Sequence, residues 1–211
     1  MHESGKYPAI LGRCLGADLD WSILAPMDTR LLTKLPEWER IRSEHERWRD
    51  LMERKLTFSL KDSAWHTKGH CANVLLYALT IACRKGLGSK ERDALGMASI
   101  FHDTRRQDDG RDVGHGARAA AYYREFCDSS SLAFDECAYL SMMYHDRDDE
   151  VGEETIAKRG LENGVLVYRI FKDADALDRF RISPRAFDEK FLRTDEARAL
   201  VGFAREFSTP R

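Results

Sequence analysis

Apolar residues recur at steps of three and four along most of this chain, which is the spacing of the buried face of a helix. Residues 36–56 carry one such stripe between charged positions and predict a first amphipathic helix. Asp62 or Ser63 can cap a second helix that runs to about Lys85, where Gly86 predicts its end. No stretch of useful length alternates between apolar and polar residues, so the pattern predicts an all-α fold.

The second half of the chain continues the helical pattern. Ser89 is expected to cap a helix that ends at His102-Asp103. Ser183 and Pro184 are typical of a helix start, because proline is tolerated in the first turn. Later predicted helices cover residues 117–127, 132–144, 164–181 and a C-terminal segment striped by Ala197, Leu200, Val201, Ala204 and Phe207.

Length and composition favour one domain. The chain has 211 residues, enough for a full core, and it shows no internal repeat and no proline- or serine-rich linker. Its 34 Lys and Arg residues nearly balance 36 Asp and Glu residues, so charge gives no drive toward a nucleic-acid polymer or a membrane. The sequence lacks a run of about 18 apolar residues and a signal-peptide core, so the expected location is the cytoplasm.

The adjacent residues His102 and Asp103 close an apolar run, residues 94–101, that is too apolar to be a solvated helix face. A buried imidazole and carboxylate need partners, because an unpaired buried charge costs several kcal/mol. A divalent metal is a common partner for such a pair, and a network of buried salt bridges is the alternative. Further candidate ligands lie on both sides of the pair: His66, His70, His115, His145, Asp173 and Asp175.

Helical geometry relates some of these candidates to each other. His66 and His70 are four residues apart, so both point to one face of a helix. An apolar stripe follows His70, which places its side chain at the edge of the core. Asp173 and Asp175 are two residues apart, so they lie on different faces of their helix.

The order of His70, then His102-Asp103, then Asp175 resembles the HD superfamily of metal-dependent phosphohydrolases. In that family the late aspartate lies in an Ala-Asp-x-Leu segment, which Asp175 matches. The resemblance implies a helical bundle of the HD type whose metal ligands are His70, His102, Asp103 and Asp175. Asp173 stays open as an alternative to Asp175.

A longer stretch extends the resemblance to residues 66–178, about half of the chain. Residues 101–106 and 112–116 resemble a subgroup with an arginine after the His-Asp pair and a D-x-x-H-G element, and His145 matches a further histidine of many members. The resemblance implies catalytic roles for His102, Asp103, Arg106, His115 and His145. Substrate contacts are expected from His66, Arg106, His115 and His145, and from Lys172 if its side chain points inward.

The donor set suits a transition metal. Imidazole together with carboxylate favours Mn, Fe, Co, Ni or Zn over Mg, which prefers oxygen ligands. Two histidines and two aspartates leave positions open for water and for a phosphate oxygen. His115 and His145 can bind a second ion that shares Asp103, or bind phosphate directly, while Arg106 can bind phosphate through two hydrogen bonds.

The expected function is a phosphohydrolase that cleaves a phosphomonoester or phosphoanhydride of a small metabolite or nucleotide with metal-activated water. A nucleic-acid polymer is not an expected partner, because no basic stripe marks a track for it. A di-iron oxygenase stays open, since the six residues His70, His102, Asp103, His115, His145 and Asp175 resemble the ligand set of HD-fold oxygenases. A binding module with a structural metal is the non-enzyme alternative, and a homodimer is left open.

The domain interpretation that follows is a single HD-type helical domain over residues 1–211. Its metal-site core is expected at about residues 60–182, between an N-terminal helical extension, 1–59, and a C-terminal helix, 183–211. The pattern is hardest to interpret in the first 35 residues.

Overall fold

The structure is a computed structural model that describes residues 29–208, and it confirms the prediction of an all-α bundle. No β-strand occurs among these residues. No helix in the described part of the chain combines the length and apolar character that crossing a membrane requires. The α-helices are α1 (Thr29–Leu32), α2 (Trp38–Lys55), α3 (Lys68–Arg84), α4 (Ser89–Phe101), α5 (His115–Ser129), α6 (Glu136–Tyr144), α7 (Asp149–Lys158), α8 (Gly164–Leu177), α9 (Asp195–Arg198) and α10 (Val201–Ser208).

Helix α3 is the centre of the bundle. Every residue from His70 to Cys83 except Asn73 is buried. A helix that is apolar on all sides has to be surrounded, and α3 packs chiefly against α2, α4 and α8. From His70 onward, α3 is therefore enclosed by other helices.

Several helix ends meet at this N-terminal end of α3. Helix α4 ends directly before His102 and Asp103, α6 ends directly before His145, and α5 begins with His115. Asp175 lies in the last turn of α8. The fold therefore brings together residues as distant in the sequence as His70 and Asp175, which are 105 positions apart.

The prediction that Asp62 or Ser63 caps the second long helix is wrong. Helix α3 begins at Lys68, because the Thr67 hydroxyl accepts a hydrogen bond from the backbone N–H of His70 at 3.2 Å. The Ser63 hydroxyl closes a local turn by accepting from the N–H groups of Trp65 and His66. Ser89 is likewise the first residue of α4, whose N-cap is Gly88.

The predicted single helix over residues 183–211 is also wrong within the described residues. Ser183 and Pro184 lie in an isolated turn, closed by a 3.0 Å bond from the Ala186 N–H to the Ser183 carbonyl. A 3₁₀ turn, Glu189–Phe191, and the separate helices α9 and α10 follow it. The Thr194 hydroxyl caps α9. The helix therefore begins after Thr194 and not at Ser183, where the sequence pattern predicts its start.

Helix α7 is absent from the sequence prediction. Only Gly152 and Ile156 are buried along it, so it has no apolar stripe to reveal it. The remaining predicted helices are present with shifted ends: 132–144 begins at Glu136, and 164–181 ends at Leu177 before a 3₁₀ turn, Asp178–Arg181. Of the predicted extension 1–59, residues 1–28 lie outside the described part of the chain.

Candidate metal centre

The four predicted metal ligands lie together at the N-terminal end of α3. The Nε2 atom of His70 lies 3.2 Å from Asp175 Oδ1, 3.2 Å from His102 Nε2 and 3.5 Å from Asp103 Oδ2. The side chains of His70, His102 and Asp103 are at most 3% exposed, whereas that of Asp175 is 37% exposed. The four side chains are therefore buried on the side that faces the core and accessible to solvent on the side of Asp175.

A second group adjoins the first through Asp103. His115 Nε2 lies 3.3 Å from Asp103 Oδ1 and 2.8 Å from His145 Nε2. The other oxygen of Asp103, Oδ2, faces His70 and His66. Each carboxylate oxygen of Asp103 therefore faces a different group of histidines, and Asp103 lies between the two groups.

The four histidines at the centre, His70, His102, His115 and His145, are oriented in the same way. Their Nδ1 atoms lie within hydrogen-bond distance of an acceptor, so each Nδ1–H can donate there while Nε2 points to the centre. The acceptors are Asp178 Oδ2 for His70 (2.7 Å), the Ser99 carbonyl for His102 (2.8 Å), the Asp112 carbonyl for His115 (2.7 Å) and the Met142 carbonyl for His145 (2.6 Å). The converging nitrogens and carboxylates fit a metal ion, and they form three groups that could hold one.

Asp178 supports the centre, and the sequence analysis missed it. It is fully buried and accepts hydrogen bonds from His70 Nδ1, from Asn73 Nδ2 at 2.9 Å and from Ser208 Oγ at 2.6 Å. The sequence did contain a signal for Asp178. It lies three residues after Asp175 in an apolar stretch, and this spacing places the two carboxylates on nearly the same side of a helix. Asp178 thus fixes the orientation of the His70 ring.

Asp173 lies away from the centre. Its oxygens accept hydrogen bonds from the backbone N–H groups of Arg193 and Thr194, both at 2.8 Å, and it pairs with the Arg193 guanidinium at 3.2 Å. These bonds tie α8 to the segment that precedes α9. The structure therefore brings Asp175, and not Asp173, to His70.

Two predicted substrate contacts have different surroundings. His66 lies at the centre, because its Nδ1 is 2.6 Å from Asp103 Oδ2. Lys172 lies apart from it, because its ammonium pairs with Asp149 at 2.6 Å and donates to the Arg147 carbonyl at 2.8 Å. The observed conformation therefore directs Lys172 toward the start of α7.

A cavity of about 310 Å³ opens above the two groups. Arg106 is 6% exposed in its wall, and its Nη1 lies 3.2 Å from His115 Nε2 and 3.6 Å from Asp103 Oδ1. Arg111 and Arg179 also line it, and neither has a carboxylate partner among residues 29–208. The complete lining is His66, Asp103, Arg106, Asp109, Gly110, Arg111, Asp112, Val113, His115, His145, Asp146, Asp175, Arg179, Arg181 and Ile182.

The protonation of the histidines differs across the centre. Burial lowers the pKa of His102 to about 4 and that of His145 to about 3, so both are neutral at pH 7. Burial and Arg181 lower the pKa of His70, but hydrogen bonds with Asp175 and Asp178 outweigh them and raise it to about 9. In protein stripped of metal, His70 therefore carries the proton that an ion would displace.

Metal affinity is expected to rise with pH up to about 9. An ion can bind His70 Nε2 only after the proton leaves, so the raised pKa weakens binding by about tenfold for each pH unit below that value. Titration of Mn²⁺ between about pH 6.5 and about pH 8.5, in buffers of different ionisation enthalpy, should show about one proton released per ion.

The Asp178→Asn variant is the control for this titration. It removes one of the charges that raise the pKa of His70. The pH range over which metal affinity rises should therefore move to lower pH. Affinity that does not change with pH in the wild-type chain would contradict the assignment of His70 as a ligand.

Comparison with known proteins gives no family assignment. No protein-family model, no curated protein and no solved structure matches this chain. Membership in the HD superfamily therefore stays a prediction that rests on the order of the motifs.

Proposed function

We propose that this chain is a metal-dependent phosphohydrolase of the HD superfamily that acts on a small phosphorylated metabolite or nucleotide. The observation that carries the proposal is the position of Asp103 between two histidine groups, beneath a cavity lined by arginines. A buried His/Asp centre can bind an ion, and guanidinium groups favour phosphate. A cavity of about 310 Å³ is of the size that takes a small molecule.

The proposed ion is a divalent transition metal, since two or more imidazoles favour Mn, Fe, Co, Ni or Zn over Mg. When bound, it would supply an activated water and offset the negative charge that develops on phosphorus. His70, His102, Asp103 and Asp175 would hold the first ion. A second ion would use Asp103, His115 and His145, whose ligand atoms also lie within reach of one another.

The protein side chains would position phosphate and handle the proton. Hydrogen bonds to the Asp108 and Gly110 carbonyls hold the Arg106 guanidinium at the cavity wall, where it can bind phosphate oxygens. Water oxygen forms a bond to phosphorus, the bond to the leaving oxygen breaks, and that oxygen takes a proton. His115 is placed to donate it, and in the metal-free chain Asp103 outweighs burial and raises the pKa of His115.

A substrate panel tests the proposal. The full chain, loaded in turn with Mn²⁺, Co²⁺, Ni²⁺, Zn²⁺ and Mg²⁺, should release phosphate from an aryl phosphate, an alkyl phosphate or a nucleotide. Release with the best transition metal should exceed release with Mg²⁺ by about tenfold or more, and a chelator should stop it. Absence of release with every metal, in protein that elemental analysis shows to hold the ion, would contradict the proposal and favour a binding module.

The shared position of Asp103 also favours a second candidate, a di-iron oxygenase. Both of its oxygens face histidines, which is the arrangement that a carboxylate between two ions requires. Protein purified without oxygen discriminates between the candidates. Two tightly held iron ions together with oxygen consumption favour the oxygenase, whereas phosphate release with Mn²⁺ or Ni²⁺ favours the hydrolase.

A further inference from the structure

A second cavity of about 420 Å³ adjoins the one above the metal centre. Four residues, His145, Asp146, Asp175 and Arg179, line both cavities. A phosphate held near His115 and Arg106 would therefore have this second space next to it. Whatever is attached to the phosphate can extend into it without crossing the bundle.

One wall of the second cavity is apolar. It includes Phe191, which is 58% exposed in the 3₁₀ turn Glu189–Phe191, together with Phe187 and Ala176. Phe187 is held in place by stacking on the buried ring of Phe180, with 4.5 Å between the ring centroids. The Lys190 ammonium lies 4.9 Å from the ring centroid of Phe191. The wall therefore presents aromatic surface beside the proposed site of phosphate cleavage.

The rest of the lining is mostly charged, but its charges are balanced. Lys172 and Arg193 are both paired with the Asp149 carboxylate, at 2.6 Å and 2.7 Å. The lining contains four basic and four acidic side chains, so it offers no excess positive charge. A second phosphate or another strongly anionic group would gain little here, because Lys172 and Arg193 are already paired and the four basic side chains are matched by four acidic ones.

We propose that this second cavity holds the leaving group of the substrate and that the group is flat, uncharged and largely aromatic. The inference rests on the proposed phosphohydrolase function and narrows its substrate to phosphomonoesters of such groups. Phe191 is the specificity residue, since offset stacking of two aromatic rings gains more than contact with an aliphatic group. The group leaves with the ester oxygen, which takes a proton when its bond to phosphorus breaks.

Binding of two phosphonates tests this inference without turnover, because their carbon–phosphorus bond resists hydrolysis. Calorimetry with the metal-loaded full chain should show that benzylphosphonate binds about tenfold tighter than methylphosphonate. Phe191→Ala should remove that preference and leave methylphosphonate binding unchanged. Phe134→Ala is the matched control: Phe134 is also an exposed phenylalanine, at 36%, and it lies outside both cavity linings.

The outcomes separate this inference from the proposed function. Equal binding of the two phosphonates, or a preference that survives Phe191→Ala, would overturn the leaving-group site and leave the phosphohydrolase standing. If neither phosphonate bound to protein that holds its metal, the phosphohydrolase and the leaving-group site would both be wrong. Equal melting temperatures of the two variants would show that Phe191→Ala acts at the cavity and not on the fold.

Discussion

Asp103→Ala is expected to abolish metal binding and to lower the proposed phosphohydrolase activity by at least about 1000-fold. The carboxylate is 3% exposed, and each of its oxygens faces a different group of histidines. The variant removes the negative charge that would offset a bound cation. The metal would supply several kcal/mol of transition-state stabilisation, which is about tenfold in rate for each 1.4 kcal/mol. Elemental analysis after gel filtration and the rate of phosphate release measure the two effects.

Two further variants control for loss of the fold and for the location of the centre. Asp103→Asn keeps the shape of the side chain but not its charge, so it should also lose the metal while its helical circular dichroism stays unchanged. His145→Ala should lower turnover and keep the first ion, because His145 belongs to the second group only. Full metal occupancy in Asp103→Ala, with complete loss in His145→Ala, would move the primary site to His145 and Asp146.

The sequence predicted the inner residues of the centre because their signals are local. His102 and Asp103 follow an apolar run that forms α4, and a pair at the end of a buried helix needs partners. Asp175 was preferred to Asp173 by a motif, and the structure shows a physical reason for the difference. Asp173 and Asp175 are two positions apart in α8, so their side chains lie on different faces of the helix. On its own face, Asp173 accepts a hydrogen bond from Thr194.

The contacts of the supporting residues could not be predicted in this way. Asp178 contacts His70, 108 positions earlier in the chain, and Ser208, 30 positions later, and no local spacing relates the three. The expected substrate contact of Lys172 depended on its side chain pointing inward, which no local pattern decides. Asp149 at the start of α7 binds it instead, and the sequence pattern did not reveal that helix.

The helix boundaries were harder to predict than the helices themselves. Thr67 and Ser63 are both good N-cap residues, and only the observed hydrogen bonds decide that Thr67 starts α3. Ser183 with Pro184 has the sequence of a helix start, yet the Arg179 guanidinium binds the Ala186 carbonyl that a continuing helix would use. A choice between two local caps thus decides the start of α3, whereas at Ser183 the Arg179 side chain overrides the local sequence preference.

Gly116→Ala is expected to lower the free energy of unfolding by about 1–3 kcal/mol and to remove the second ion while the first stays bound. A Cβ at this position in α5 would overlap the Met142 carbonyl oxygen and would lie 2.8 Å from His145 Nδ1. These atoms hold each other through the bond from His145 Nδ1–H to Met142 O, so α5 and α6 must separate. The separation would pull His115 away from His145, whose Nε2 atoms are now 2.8 Å apart.

Urea unfolding and the number of metal ions per chain measure these two effects, and a second glycine gives the control. Gly202 lies exposed in α10, and a Cβ there would have no atom within 4 Å. Gly202→Ala should therefore leave the metal content unchanged and stabilise the helix by up to about 1 kcal/mol. If Gly116→Ala kept the same metal content as Gly202→Ala, the close approach of α5 and α6 would not be what assembles His115 and His145 into a metal-binding group.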